Sequence, residues 1–204
     1  MLIEQPPKLL RWLYPSALWR MNPNERAVYL TFDDGPIPNI TPWVLDLLDK
    51  YGIKATFFLV GDNVRKHPKE FQMIQDRGHR VGNHTFNHIQ GFKYLSYNYL
   101  ANTNKADELI KSDLFRPPHG WMRWEQYYVL KHRYKIVMWD IVSRDYNRAL
   151  SPQRCLDNVT KHLTAGSIVV FHDSEKAFKN MSYALPRTLK RVQEMGLKCK
   201  IIEL

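Results

Sequence analysis

Apolar residues come along this chain in short, dense runs: AVYLTF at 27–32, KATFFLV at 54–60, HRVGN at 79–83, LF at 114–115, KIVMW at 135–139, SIVVF at 167–171 and KCKII at 198–202. Most of these seven runs are apolar nearly throughout instead of alternating, the pattern of parallel strands covered on both faces. The segments between them carry a helical period with start and stop residues. Thr41-Pro42 opens TPWVLDLLDK with Gly52 just past its end, so Thr41 is expected to cap and Pro42 to fill the first turn. Ser151-Pro152 opens a second helix that Gly166 is expected to close, and Leu185, Leu189, Val192 and Met195 form an apolar stripe on the last one. Strand followed by helix, repeated throughout, predicts an α/β fold with a parallel sheet and right-handed crossovers, either open or closed into a barrel. Seven strands favour a barrel one short of the usual eight.

Conspicuous polar residues sit where these runs stop. Asp33 and Asp34 follow the first run, His84 and His88 the third, Arg116 the fourth, Asp145 the fifth at a short distance, and His172 with Asp173 the sixth. In a parallel barrel that edge of the sheet holds the active site, so five strand ends are expected to converge on one mouth. In His84-Thr-Phe-Asn-His88 two imidazoles stand four apart, and on a helical turn both point the same way, as two ligands of one metal require. A carboxylate from the Asp33-Asp34 pair completes a set of two histidines and one acid, which leaves coordination positions open for catalysis. Zinc is the first choice for such ligands, with cobalt, nickel or manganese as alternatives. The second aspartate can take a proton from a water, and His172 can donate one to a leaving group near neutral pH. Arg116 precedes Pro117-Pro118-His119-Gly120, where its fork could hold a carboxylate through two hydrogen bonds.

Length and composition add bounds. The chain has 204 residues, 44% of them hydrophobic, which suits one globular domain with no repeat or low-complexity tract. Its formal net charge of +10 favours anionic partners. The basic residues are scattered (Lys8, Arg11, Lys66, Lys69, Arg133, Lys190, Arg191), without the clustered stripe of a nucleic-acid binder, and anionic cell-envelope glycans would serve equally well. Cys155 and Cys199 lie outside every motif and read as structural thiols. The first twenty residues resemble no signal peptide and no run is long enough to span a membrane, so a cytoplasmic location is expected. Trp12, Leu13, Leu18 and Trp19 are expected to pack on the domain.

TFDDGP at 31–36, HTFNH at 84–88, RPPHG at 116–120, WDIVSRDY at 139–146 and VFH at 170–172 occur in the order found in the polysaccharide deacetylases of carbohydrate esterase family 4, the NodB-like domain, which the chain resembles from Val28 to its end. The resemblance implies a deformed (β/α) barrel of about seven parallel strands over 27–204, with 1–26 as an N-terminal extension packed on it. It also implies roles: Asp33 as catalytic base, Asp34, His84 and His88 on a divalent metal, Arg116 tethering the base, His172 as general acid tuned by Asp145, and the His119 amide binding the oxyanion. His119, Tyr146 and Val170 stand where the family usually has Tyr, Trp and Leu, departures that bear on the substrate groove and not on the metal.

The leading expectation is a monomeric, metal-dependent hydrolase that removes acetyl groups from an N-acetylated sugar or glycan such as chitin oligomers or peptidoglycan. An O-deacetylase of acetylated polysaccharide and a cyclic-amide hydrolase are the enzymatic alternatives. A catalytically silent glycan-binding module is the other, opposed by the retention of both Asp33 and His172.

Overall fold

A computed structural model describes residues 4–7 and 11–203, so Lys8 lies outside the described residues. Eight parallel strands form one sheet: β1 (Ala27–Asp33), β2 (Thr56–Leu59), β3 (Arg80–Asn83), β4 (Leu114–Phe115), β5 (Lys135–Ile136), β6 (Ile141–Val142), β7 (Ile168–His172) and β8 (Lys198–Cys199). Their spatial order is β5-β4-β3-β2-β1-β7-β6, with β8 beside the first residues of β1. Helices α1 (Ile40–Lys50), α2 (Gly61–Lys66), α3 (Pro68–Asp76), α4 (Ser96–Ile110), α5 (Trp124–Leu130), α6 (Pro152–Thr160) and α7 (Phe178–Glu194) make the connections. None of the described helices is long and apolar enough to cross a membrane.

The strict alternation of strand and helix fails at one place. KIVMW is a strand only over Lys135–Ile136, and an eighth strand, β6, follows after four residues with no helix between. Yet β5 and β6 are the two opposite edges of the sheet. Seven flat strands would put those edges roughly 29 Å apart at the usual spacing, whereas residues 137–140 can bridge at most roughly 18 Å. The sheet must therefore curl into a barrel with one seam.

The N-terminal segment lies along that seam. Leu18 donates its N–H to Ile136 O (2.8 Å) and accepts from Met138 N–H (2.8 Å), Met21 donates to Gly166 O (2.9 Å), and Val142 donates to Glu4 O (2.9 Å). Asp140, in the four-residue link, is buried and paired with both Arg11 and Arg20, and it accepts from Ser167 Oγ (2.9 Å). Tyr14 and Trp19 are buried in the same apolar cluster as β4, β5 and α5, with Leu18 packed against it. Trp12 (77% exposed) and Leu13 (45%) face outward, contrary to the packing expected of them, because the chain turns its other side to Tyr127.

Period-two alternation on β1 and β7 then sorts side chains between two faces. Val28, Leu30, Phe32, Val169 and Phe171 join the helix-side core with Leu45, Leu48, Leu185 and Leu189, so the stripe on α7 points where expected, and Met195 is packed at its margin. Ala27, Tyr29, Ile168 and Val170 belong to the concave side, and Thr31, Asp33 and His172 continue those rows toward the mouth.

Two punctuation readings differ from what is seen. Ser151 does cap α6, accepting from Arg154 N–H (3.1 Å), but Gly166 lies well beyond that helix, at φ 85, in the turn that enters β7. Thr41 lies inside α1, not at its cap; its hydroxyl accepts from Ile37 N–H (2.8 Å) and donates to the buried Asp173 (2.6 Å). The run 198–202 is strand only over Lys198–Cys199, and both cysteines are free thiols. Trp19→Ala is expected to cost about 3 kcal/mol in a chemical denaturation. Trp12→Ala, on the same segment but exposed, should change stability by less than about 0.5 kcal/mol.

Candidate active site

Five strand ends deliver their side chains to one cleft of about 280 Å³, whose lining includes Asp33, Asp34, His84, His88, His119, Tyr146, Val170 and His172. Arg116 and Asp145 lie directly behind it, both without solvent exposure. Asp33 and His172 are register partners on the adjacent strands β1 and β7, which places a carboxylate and an imidazole side by side at the mouth.

Arg116 follows β4 and crosses the barrel interior. Nη1 donates to Asp33 Oδ1 (2.6 Å) and to Thr31 Oγ1 (2.8 Å), Nη2 to Met138 O (2.9 Å) and Nε to Val137 O (3.2 Å), while the guanidinium stacks 4.1 Å from the centre of the Phe58 ring. The two-toothed grip expected on a carboxylate is thus a single hydrogen bond. The other donors satisfy carbonyls of the β5–β6 link, which the curled sheet brings within reach. Burial pulls the guanidinium pKa down, and Asp33 opposes that.

His84 and His88 do not sit on a helical turn. They occupy an irregular loop after β3, in which Thr85 (φ 63) and His88 (φ 54) take left-handed conformations, and this brings their ring centres to 5.1 Å. His84 is buried, and its Nδ1 lies 2.7 Å from Arg116 O, so that nitrogen carries the proton and Nε2 offers a lone pair. Nε2 of His84 is 4.0 Å from both Asp33 Oδ2 and Asp34 Oδ1, and Nε2 of His88 is 3.2 Å from Asp34 Oδ1. Burial pushes the His84 pKa down to about 4 and that of His88 down as well, leaving neutral imidazoles. Asp34 itself is at φ 83; burial works against its ionisation, but His172, His88, His84 and Lys176 hold its pKa below the usual carboxylate value.

His172 shares Asp145 through two contacts, Nδ1 to Oδ1 (2.7 Å) and backbone N–H to Oδ2 (2.8 Å). Burial alone would lower its pKa; Asp145, aided by Asp34 and Asp33, raises it to about 9. The Tyr146 ring meets His172 edge to face at 4.9 Å. His119 is at φ 60 in the 3₁₀ turn Pro118–Gly120, its ring 4.9 Å from that of His88, and burial lowers its pKa to about 4.

Gln90, Trp121 and Lys176, which lie outside the sequence motifs, also line the cleft, together with Trp139 and Val142 of the WDIVSRDY motif. Asp173, next to His172, is fully buried and accepts from Gly35 N–H (3.1 Å) and Thr41 Oγ1 (2.6 Å), fixing the turn that presents Asp33 and Asp34. A side chain at Gly35 would overlap that carboxylate at 2.1 Å.

Comparison with known proteins decides the family, because the polysaccharide deacetylase family model matches residues 20–132. The chain belongs to the polysaccharide deacetylase family. A peptidoglycan-N-acetylglucosamine deacetylase of Bacillus cereus is 31% identical over 199 residues, covering 88% of each chain. A chitooligosaccharide deacetylase of Azorhizobium caulinodans is 32% identical over 162 residues, covering 76% of this chain and 77% of that protein. The crystal structure of a peptidoglycan N-acetylglucosamine deacetylase in complex with 4-naphthalen-1-yl-N-oxidanyl-benzamide matches with a TM-score of 0.84 at 28% identity, over 94% of this chain and 93% of that one. This chain is a carbohydrate deacetylase on the deformed (β/α) barrel of that family.

The residues of this deacetylase fit a divalent metal. One ligand atom each from Asp34, His84 and His88 can be chosen so that all lie within 4.8 Å of one another. Asp34 Oδ1 is buried with no hydrogen-bond partner, an arrangement that costs free energy unless a cation satisfies it. On this geometry Asp34→Asn should come off dialysis with little divalent metal, while Asp33→Asn should keep its metal stoichiometry and lose acetate release, as read by elemental analysis and an acetate assay. The reverse pattern of metal content would exchange the two roles.

Proposed function

We propose that this deacetylase hydrolyses the acetamide of an N-acetylated amino sugar within a glycan, using zinc on Asp34, His84 and His88. The observation that carries the reading is the register pairing of Asp33 with His172 across the cleft floor, a carboxylate and an imidazole side by side, next to the Asp34, His84 and His88 group. A divalent ion there supplies positive charge that polarises the acetyl carbonyl and makes the attacking water more acidic.

The chain's own groups do the rest. Asp33 accepts the proton of the attacking water, with Oδ1 held by Arg116 so that Oδ2 remains directed at the cleft. As the water oxygen bonds to the carbonyl carbon, negative charge grows on the carbonyl oxygen, and in this reading the His119 backbone N–H donates to it. His172 then gives its Nε2 proton to the amine nitrogen as the carbon–nitrogen bond breaks, releasing acetate and a free amino sugar. Asp145 holds Nδ1 and so fixes the tautomer that can do this. Trp139, Val142, Tyr146 and Val170 supply apolar wall for the acetyl methyl, and Trp139 Nε1, buried with no partner among the described residues, is a donor left for a sugar oxygen. With His119, Tyr146 and Val170 all lining the cleft, the departures from the family pattern fall on substrate shape, which supports a sugar preference of this chain's own.

His172→Ala is expected to lower kcat by roughly 10²–10⁴ with metal content unchanged. The pH profile gives a second check. The acid form of His172 exists below its raised pKa of about 9, so kcat should fall as pH rises through that region. Asp145→Asn removes the group that raises it, and the alkaline limb should move to lower pH. An unmoved limb would mean that another group supplies the proton. Acetate release across N-acetylated oligosaccharides, O-acetylated polysaccharide and a cyclic amide identifies the substrate class.

A further inference from the structure

The surface beside the cleft carries an apolar face that the reaction described above does not use. Phe92 (50% exposed), Tyr94 (41%), Leu95 (70%) and Tyr97 (82%) stand on one segment, and Trp124 (57%) and Tyr128 (54%), one helical turn apart, stand on α5. The two segments meet where Arg123 Nη2 donates to Phe92 O and Phe92 lies beside Trp121, and exposed aromatic side chains around such a junction mark a contact surface.

These side chains belong to a rigid structure. Gln126, fully buried, donates to Gly91 O (3.0 Å) and Tyr94 O (3.4 Å) and accepts from Arg123 N–H (2.9 Å), while Arg123 Nη2 donates to Phe92 O (3.0 Å). A buried glutamine and an arginine thus clamp the 91–94 backbone onto the start of α5. Gly91 allows the close approach, since a side chain there would overlap Gln126 Oε1 at 2.4 Å.

Both segments run directly out of the catalytic cleft. Gln90 and Trp121 line it, Phe92 follows two residues after the first and Arg123-Trp124 two to three after the second, and the Trp121 ring lies 5.9 Å from that of Phe92. The cleft itself, about 280 Å³, is at the bottom of the size range of small-molecule pockets, roughly 300–1,000 Å³. It accommodates the sugar being deacetylated, and a longer strand must leave it over a neighbouring surface. Pyranose rings present apolar C–H faces that stack on aromatic rings, and their hydroxyls suit the Tyr and Trp polar edges.

We propose that Phe92, Trp124 and their aromatic neighbours form an extended subsite that holds the glycan strand as it leaves the catalytic cleft at Trp121. The inference rests on the glycan reading of the cleft. Lys93, Arg123 and Lys131 flank the face, Lys131 Nζ lying 4.5 Å from the Tyr128 ring centre, so a strand bearing anionic groups would be held in addition by charge. Stacking is sequence-tolerant and graded by the number of rings engaged, so the subsite favours long strands over short ones.

The test compares the whole chain with F92A/W124A, both substitutions at exposed positions. Binding to an insoluble N-acetylglucosamine polymer is measured by depletion in the presence of a chelator, so that it is read apart from turnover. Acetate release from a short oligosaccharide and from a soluble polymer is measured with zinc. The double variant should lose polymer affinity roughly tenfold or more. Its KM for the polymer should rise, with kcat for the short substrate and the melting temperature unchanged. Equal polymer binding by both proteins overturns the proposal, as does loss of binding to phosphatidylglycerol vesicles alone, which would assign the face to a membrane surface. An equal fall on short and long substrates also overturns it. If the wild type binds the polymer through these residues but releases acetate from neither substrate, the subsite stands and the deacetylase reading of the cleft fails.

Discussion

A guanidinium with no solvent exposure holds the mouth of this barrel together. Arg116 carries a full charge into the interior, and such a group is tolerated only when every donor finds an acceptor and a counter-charge lies in contact. Arg116 makes its hydrogen bonds to two elements at once: Thr31 and Asp33 on β1, with Asp33 as the counter-charge, and the carbonyls of Val137 and Met138 in the β5–β6 link. Its own carbonyl orients His84. Removing the side chain would leave a buried carboxylate without its cation and two carbonyls without donors, so the geometry of Asp33, His84 and the seam depends on this one residue.

Backbone strain gathers around the same place. Among the described non-glycine residues at positive φ are Asp34, Thr85, His88, His119 and Arg144, each within a site motif or next to one. Conformations of this kind cost of order 1–3 kcal/mol apiece and persist only where the surroundings impose them. Here Asp173 and Thr41 brace the aspartate turn, Asn83 accepts from Thr85 N–H, and Asn180 donates to the carbonyl of Asp145. Hydrogen bonds from neighbouring residues thus hold the aspartate turn, the start of the histidine loop and the Asp145 backbone in position.

The sequence disclosed the strand runs and the polar residues at their ends, because burial on both faces leaves a continuous apolar signature and the motifs stand at fixed places relative to it. It concealed β6, since two residues after a tryptophan and an aspartate cannot be told from a continuation of the preceding run. The convergence of His84 and His88 was legible but its means was not: a spacing of four suits a helical turn, and nothing local announces that Thr85 and His88 adopt left-handed conformations instead. Asp173 was visible as a polar residue at a strand end but its part was not, and Gln126 gave no sign. What they do depends on partners far along the chain, Thr41 for one and Gly91 for the other, and long-range pairing leaves no periodic mark.

The seam between β5 and β6 also orders events in time. Residues 11–21 leave the ribosome long before their partners, for Leu18 bonds to residues 136 and 138, Met21 to 166, and Arg20 to Asp140. Contacts so distant in sequence close large loops and form slowly. Until β7 has been made, Tyr14 and Trp19 have no complete cluster to enter and the barrel has two bare edges. The early segment therefore stays without its partners until residues 136–170 have been made, and the barrel closes only after them.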